Sequence, residues 1–263
     1  MPALYAHDAF GRKVAAKLPT AVKKAVLQYP QLFRIGLQGP DILFFYNPFR
    51  KNEIGQNGRE IHRQSVLPFF ENARKKWLSD GKRPEQLSYL MGFLCHFMLD
   101  STVHGFINAQ TSFTGVSHIA IETEFDRMIL TVEKKQANAF PVGHCIPDAE
   151  GLGSVIAPFY PDRTAGQIEH SIRSMRFFKN LLVLPRKATR ETVYGGLRLI
   201  KQYDSLSQHI MPPEADLRCR LACETLYKML EKAVFETVQQ QKLFWKAMHT
   251  GCDFDPRLDR NFE

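Results

Sequence analysis

Residues Pro84–Ile107 constrain this chain more than any other stretch. Leu87, Leu90, Met91, Phe93, Leu94, Phe97, Met98 and Leu99 make it apolar nearly all round, which predicts a helix buried on every side. Three ionisable side chains interrupt it, at His96, Asp100 and His104. Their spacing is i, i+4, i+8. At roughly 100° per residue they share one stripe about 80° wide. A buried carboxylate is costly without a partner, so the fold must bring positive charge to Asp100.

The next helix, from about Ser117 to Ala137 with Ser117 as N-cap, repeats the device. His118, Glu122 and Asp126 follow at the same spacing, with Ile119, Ala120, Ile121 and Phe125 between them. One HxxxD alone is explained by a core histidine bonded to an aspartate. HxxxDxxxH followed by HxxxE is more specific. Two such stripes facing each other across a bundle predict a multinuclear metal site of nitrogen and oxygen ligands. Three further positions join the set. His7-Asp8 opens the first helix, Asp41 follows the Gly39-Pro40 turn, and His62 opens another helix. Taken singly, His7 and His62 read as surface residues and Asp41 as an N-cap.

Most of the remaining chain also reads as helix. The periodicity predicts helices at Phe10–Tyr29, Ile61–Leu78 with Pro68 in its first turns, 165–184, 189–208 and 213–248, and an extended tail at Gly251–Glu263. Ala139–Arg163 carries many Pro and Gly residues. Its retained apolar positions make it a functional loop rather than a linker, and His144 and Asp148 on it are candidates to cover the site. No run of alternating residues predicts a strand. The expected fold is an all-α, single-domain helical bundle spanning residues 1–263, with the metal ligands in 1–130.

Composition sets the class and the compartment. Hydrophobic residues are 44% and charged residues 24%, the balance of a globular protein. A membrane span needs roughly 20 consecutive apolar residues, and Leu90–Leu99 is about half of that and is interrupted by His96. The first eight residues show no basic, then apolar, signal pattern. The five cysteines are scattered, as expected of reduced thiols. Together these predict a cytoplasmic protein. The net charge of +8 favours an anionic ligand, but no basic stripe is interleaved with aromatics as a nucleic-acid surface requires.

The order His7, Asp41, His62, His96-xxx-Asp100, His104, His118-xxx-Glu122 resembles the zinc-dependent phospholipase C superfamily, which also contains single-strand-specific nucleases. The phrase Gly92–Ser101 looks like its intracellular bacterial branch. The resemblance implies a helical fold holding up to three zinc ions. By motif position, Asp41, His62, His96 and Asp100 hold one, and His104, His118 and Glu122 hold a second. The family's third ion uses the amine of an N-terminal tryptophan, a nearby histidine and the shared aspartate. His7 and Asp100 match the last two and no tryptophan matches the first, so Asp8 and Asp126 are candidates to complete it. Asp100 and His104 stand closer in sequence than in the secreted members, though still on one helical face. No strand-rich segment like the membrane-binding domain of the clostridial toxins follows residue 248.

With neutral histidines, Asp41, Asp100 and Glu122 leave a site of +1 with two Zn²⁺ and +3 with three, and either attracts a phosphate. Iron, manganese or nickel also suit such ligands. The resemblance implies hydrolysis of a phospholipid, nucleotide or other small anionic organophosphate by metal-activated water, with Asp41 orienting or deprotonating that water, and with peripheral lipid contact if the substrate is a lipid. The aromatics of Ile42–Phe49 are candidates for the substrate mouth or for ordinary core. One rival reading is a non-catalytic metal-binding scaffold or sensor. Another is an HD-type phosphohydrolase, which places a histidine upstream of its His-Asp doublet, whereas His7-Asp8 comes first here.

Overall fold

The computed structural model describes residues 4–263. The described residues form twelve α-helices joined by loops and short 3₁₀ turns, with no strand among them. In chain order they are α1 (Leu4–Lys17), α2 (Thr20–Gln28), α3 (Pro30–Gly36), α4 (Glu53–Arg63), α5 (Leu67–Ser79), α6 (Pro84–Thr114), α7 (His118–Val132), α8 (Leu152–Ile156), α9 (Ala165–Leu181), α10 (Lys187–Leu199), α11 (Tyr203–Leu206) and α12 (Arg220–Thr250). A 3₁₀ helix, Gly39–Phe45, carries Asp41. The fold is all-α, as the patterning predicts.

α6 is the axis of the fold. It begins on Pro84, whose missing N–H costs nothing at a helix start, and ends at Gly115 with φ +67°. Every residue from Gln86 to Ser101 is buried. α1, α2, α3, α5, α7, α8 and α12 all pack on it. By length and composition α6 could cross a membrane, but 78% of that apolar stretch is covered by the rest of the fold. Phe69 stacks on Phe93 with ring centroids 4.3 Å apart, and Phe70 meets Phe93 and Phe244 edge-on.

Glycines set the closest approach. A Cβ on Gly36 would stand 2.3 Å from the Tyr89 carbonyl oxygen, and one on Gly92 would stand 2.2 Å from that of Phe33. With hydrogen at both positions, the α3 backbone lies directly on α6. The turn after α3 then crosses the face of α6 that bears His96.

Several element boundaries differ from the sequence expectation. The helix expected over Phe10–Tyr29 starts earlier, at Leu4, and breaks at Pro19 into α1 and α2. His7 and Asp8 therefore lie inside α1 rather than at its opening. α4 was not expected, and His62 sits in its last turn rather than opening a helix. The helix expected over Ile61–Leu78 begins at Leu67, where Pro68 stands in the first turn. The expected 189–208 helix is split into α10 and α11, and the last long helix starts at Arg220, not 213. The Ala139–Arg163 loop holds α8 and packs on α1 and α9. The segment after Gly251 is irregular, as expected, apart from a turn at Pro256–Leu258.

Candidate metal centre

Five elements deliver the eight predicted residues to one place. α1 brings His7, the 3₁₀ helix brings Asp41, α4 brings His62, α6 brings His96, Asp100 and His104, and α7 brings His118 and Glu122. Ser117 caps α7 by accepting from the Ala120 amide at 3.2 Å, which fixes where that helix starts. Asn52 caps α4 through the Gly55 amide at 2.9 Å. Gly39, at φ +50°, lets the turn pass over the His96 ring, since a Cβ there would lie 2.2 Å from His96 Cδ2.

The ligand atoms form three groups, each within 4.8 Å: His7, His96 and Asp100; Asp41, His62 and His96; His104, His118 and Glu122, of which the first two share His96. Asp100 links them. Its Oδ1 lies 3.1 Å from His7 Nε2 and 3.5 Å from His104 Nε2, and its Oδ2 lies 3.1 Å from His96 Nε2. His62 Nε2 is 3.0 Å from Asp41 Oδ1, and Glu122 Oε1 is 3.1 Å from His118 Nε2 and 3.7 Å from His104 Nε2. The His7 and His96 rings stack at 4.4 Å.

The histidine tautomers follow from their other nitrogens. His96 Nδ1 is 3.2 Å from the Leu37 carbonyl and His62 Nδ1 is 2.7 Å from that of Gly58. A carbonyl can only accept, so each Nδ1 carries the hydrogen and a neutral ring presents an Nε2 lone pair to the cluster. His118 Nδ1 is likewise held by Asn108 Oδ1 at 2.9 Å. Orienting partners of this kind are what metal-ligating histidines require.

The donor set fits a metal. Buried polar atoms in folded proteins are nearly always hydrogen-bonded. Here seven are not: His7 Nδ1, both Asp41 oxygens, His96 Nε2, both Asp100 oxygens and Glu122 Oε2. Six of them are lone-pair or carboxylate acceptors on residues of the three ligand groups, and cations held by those groups would give such acceptors partners. Without one, the charges lean on the imidazoles. Burial pushes the Asp100 carboxyl up, but His96, His104 and His7 outweigh it and hold it well below its usual range. Asp41 is held down in the same way by His96 and His62 against its own burial. For His62, burial opposes the imidazolium, yet Asp41 and then Asp100 raise it to about 9.

Asp8 and Asp126 do not join the cluster. Asp8 pairs with Arg12 at 2.9 Å and faces Arg34 at 3.6 Å. Asp126 accepts from the amides of Tyr5 at 3.1 Å and Ala6 at 2.8 Å, so it caps the start of α1. Burial raises its carboxyl to about 7, against the pull of Lys179 and those two amides. Residues 1–3, which precede His7 in the chain where the family's amine ligand would be sought, lie outside the described residues. The Ala139–Arg163 loop does not cover the site. The His144 carbonyl accepts from Arg34 at 2.8 Å and Asp148 pairs with Arg176 at 3.6 Å, and no loop residue lines the mouth of the cluster.

That mouth is an open cavity of about 340 Å³ lined by His62, His104, His118, Asn108, Phe44, Ile119, Arg59, Arg63 and Glu263. The aromatic segment divides its duties. Phe44 stacks on His62 at 5.3 Å, Phe45 is core, and Phe49 is exposed. Sequence reasoning missed Asn108, which continues the His96–Asp100–His104 stripe by another four residues and so was findable. It also missed Phe262, whose ring lies 4.8 Å from His62 and 5.8 Å from His96. No spacing ties that distant residue to the cluster.

A family model described as zinc dependent phospholipase C matches residues 6–146. That span includes all eight clustered residues, and the family's description names zinc as the metal. No curated protein and no solved structure matches the chain. The order of the ligands, their convergence around Asp100 and a family match over more than half the chain lead to one conclusion: this chain belongs to the zinc-dependent phospholipase C family.

Proposed function

We propose that this protein is a zinc-dependent phosphoesterase that hydrolyses a small anionic organophosphate ester. The observation that carries the reading is the buried cluster of seven unpartnered polar atoms at the foot of an open mouth. His7, Asp41, His62, His96, Asp100, His104, His118 and Glu122 are the residues proposed to hold the metal. Bound zinc supplies a hydroxide near neutral pH and a Lewis acid for the phosphoryl oxygens.

The chain's own residues do the rest. His118 is 30% exposed and His104 and His62 about half that, while Asp41 and His96 are fully buried. The ester therefore enters over His118, His104 and His62, with Asp41 beneath. Asp41 stays ionised below its ordinary range, so it accepts a hydrogen of the attacking water and orients it. A stronger base would be needed to keep the proton. Phe44 and Phe262 flank His62 with apolar surface and limit access of bulk water from that side. Cytoplasmic action is part of the proposal, supported by five free cysteines of which four are buried.

The test is turnover of phosphodiesters, phosphomonoesters and phosphatidyl lipids by zinc-loaded protein, with and without chelator. Chelator-sensitive release of phosphate or a phosphorylated product is expected. Two or more bound zinc ions with no turnover across the panel would overturn the enzyme reading in favour of a scaffold or sensor.

A further inference from the structure

Two arginines stand at the mouth that the hydrolytic chemistry does not use. Arg59 and Arg63 are one turn apart on α4, and both line the cavity together with His62. Both are exposed. Neither lies within ion-pair distance of any carboxylate among the described residues, whereas Arg12, Arg83, Arg127 and Arg218 are all paired. Apart from the cluster itself, the lining holds one carboxylate, that of exposed Glu263. Guanidinium forks bind phosphate oxygens two at a time, and a cavity of this size exceeds what a single phosphate fills.

We infer that Arg59 and Arg63 bind a second phosphate on the substrate, carried by the alcohol or head group beyond the scissile ester. This rests on the phosphoesterase reading above and narrows it. The substrate class is an organophosphate with at least two phosphate groups. A cationic head group would face two unpaired guanidiniums and a site of net positive charge, so such esters are poor substrates.

The experiment uses zinc-loaded protein and a matched pair of soluble diesters, glycerophosphoinositol and glycerophosphoinositol 4-phosphate, which differ by one phosphate. Wild-type protein should favour the 4-phosphate by about tenfold or more in kcat/KM, the increment of a charge-assisted pair at a partly exposed site. The ratio should fall towards one in the Arg59→Ala, Arg63→Ala double variant and recover in part in the double lysine variant, which keeps charge without the fork. Zinc content should match wild type throughout. Equal rates on both probes in wild type, or a preference that survives the double alanine change, would overturn the inference. If neither probe is turned over, the hydrolytic reading is what fails for these diesters. Calorimetric binding of the two probes then decides the inference alone: a preference lost on the alanine changes supports it, and equal affinities refute it.

Discussion

Asp100 shows how one side chain organises this centre. Its carboxylate is buried and touches His7, His96 and His104, so removing its charge should release the cation that the other ligands share. Asp100→Asn is expected to lose metal and turnover together, and a variant with full metal content and full rate would remove Asp100 from the site. His144→Ala should leave metal content unchanged, because its side chain belongs to none of the ligand groups and does not line the mouth, and the loss of a zinc equivalent would contradict this. The residues on α6 were legible because a polar stripe on an apolar helix demands buried partners, and a second stripe follows on α7. Asp126 misled for the same reason. It extends the His118–Glu122 stripe, but the start of α1 claims its oxygens, and only tertiary structure shows that competition. Its raised value of about 7 against an ordinary 3.8 has a definite sign. Between those limits the folded chain keeps a proton that the unfolded chain releases, so stability falls as pH rises from about 4 to about 7 and is level above. Asp126→Asn should therefore gain stability relative to wild type between about pH 5 and about pH 8, measured by urea unfolding in chelator. A constant difference would show that Asp126 does not titrate in that window in the folded chain with a value near 7.

At the scale of elements, the site depends on how closely the turn after α3 can cross α6. Gly39→Ala would drive a methyl group into the His96 ring and should lower both metal content and stability. Gly105→Ala on α6 is the control, since nothing lies within 4 Å of a Cβ there. It should be neutral or stabilising by roughly 0.5–1 kcal/mol through helix propensity. Equal melting temperatures and metal contents for the two variants would show that the crossing is not tight. α6 and α7 were legible because an apolar run and a clear start agree in each, Pro84 for α6 and the Ser117 cap for α7. α4 was not, because two of its three buried positions, Gly55 and Gly58, are glycines and leave no apolar stripe. That omission placed His62 at the wrong end of a helix and hid Arg59 and Arg63 as a pair. The break at Pro19 was missed because apolar residues continue on both sides of it.

At the scale of the molecule, the fold surrounds one long helix and uses its middle as a platform for buried charge. Such an interior is costly unless the charges are compensated, which couples folding to the cation. Chelator should lower the melting temperature and zinc should restore it. At free zinc about 1,000 times the dissociation constant the gain is about 4 kcal/mol, and a melting temperature indifferent to both would mean that the cluster is held by its own imidazoles. The all-α class and the ligand order were readable from residue spacing. The way α1, α4 and the 3₁₀ helix converge on α6 was not, since it depends on contacts between residues far apart in the chain. The most direct test is zinc per chain by plasma mass spectrometry on tag-free, dialysed protein. Three ligand groups, two sharing His96 and the third reached through Asp100 and His104 at 3.5 Å, predict about two to three equivalents. Under about half an equivalent of any metal, before and after zinc reloading, would contradict the account and leave the two polar stripes as a structural network.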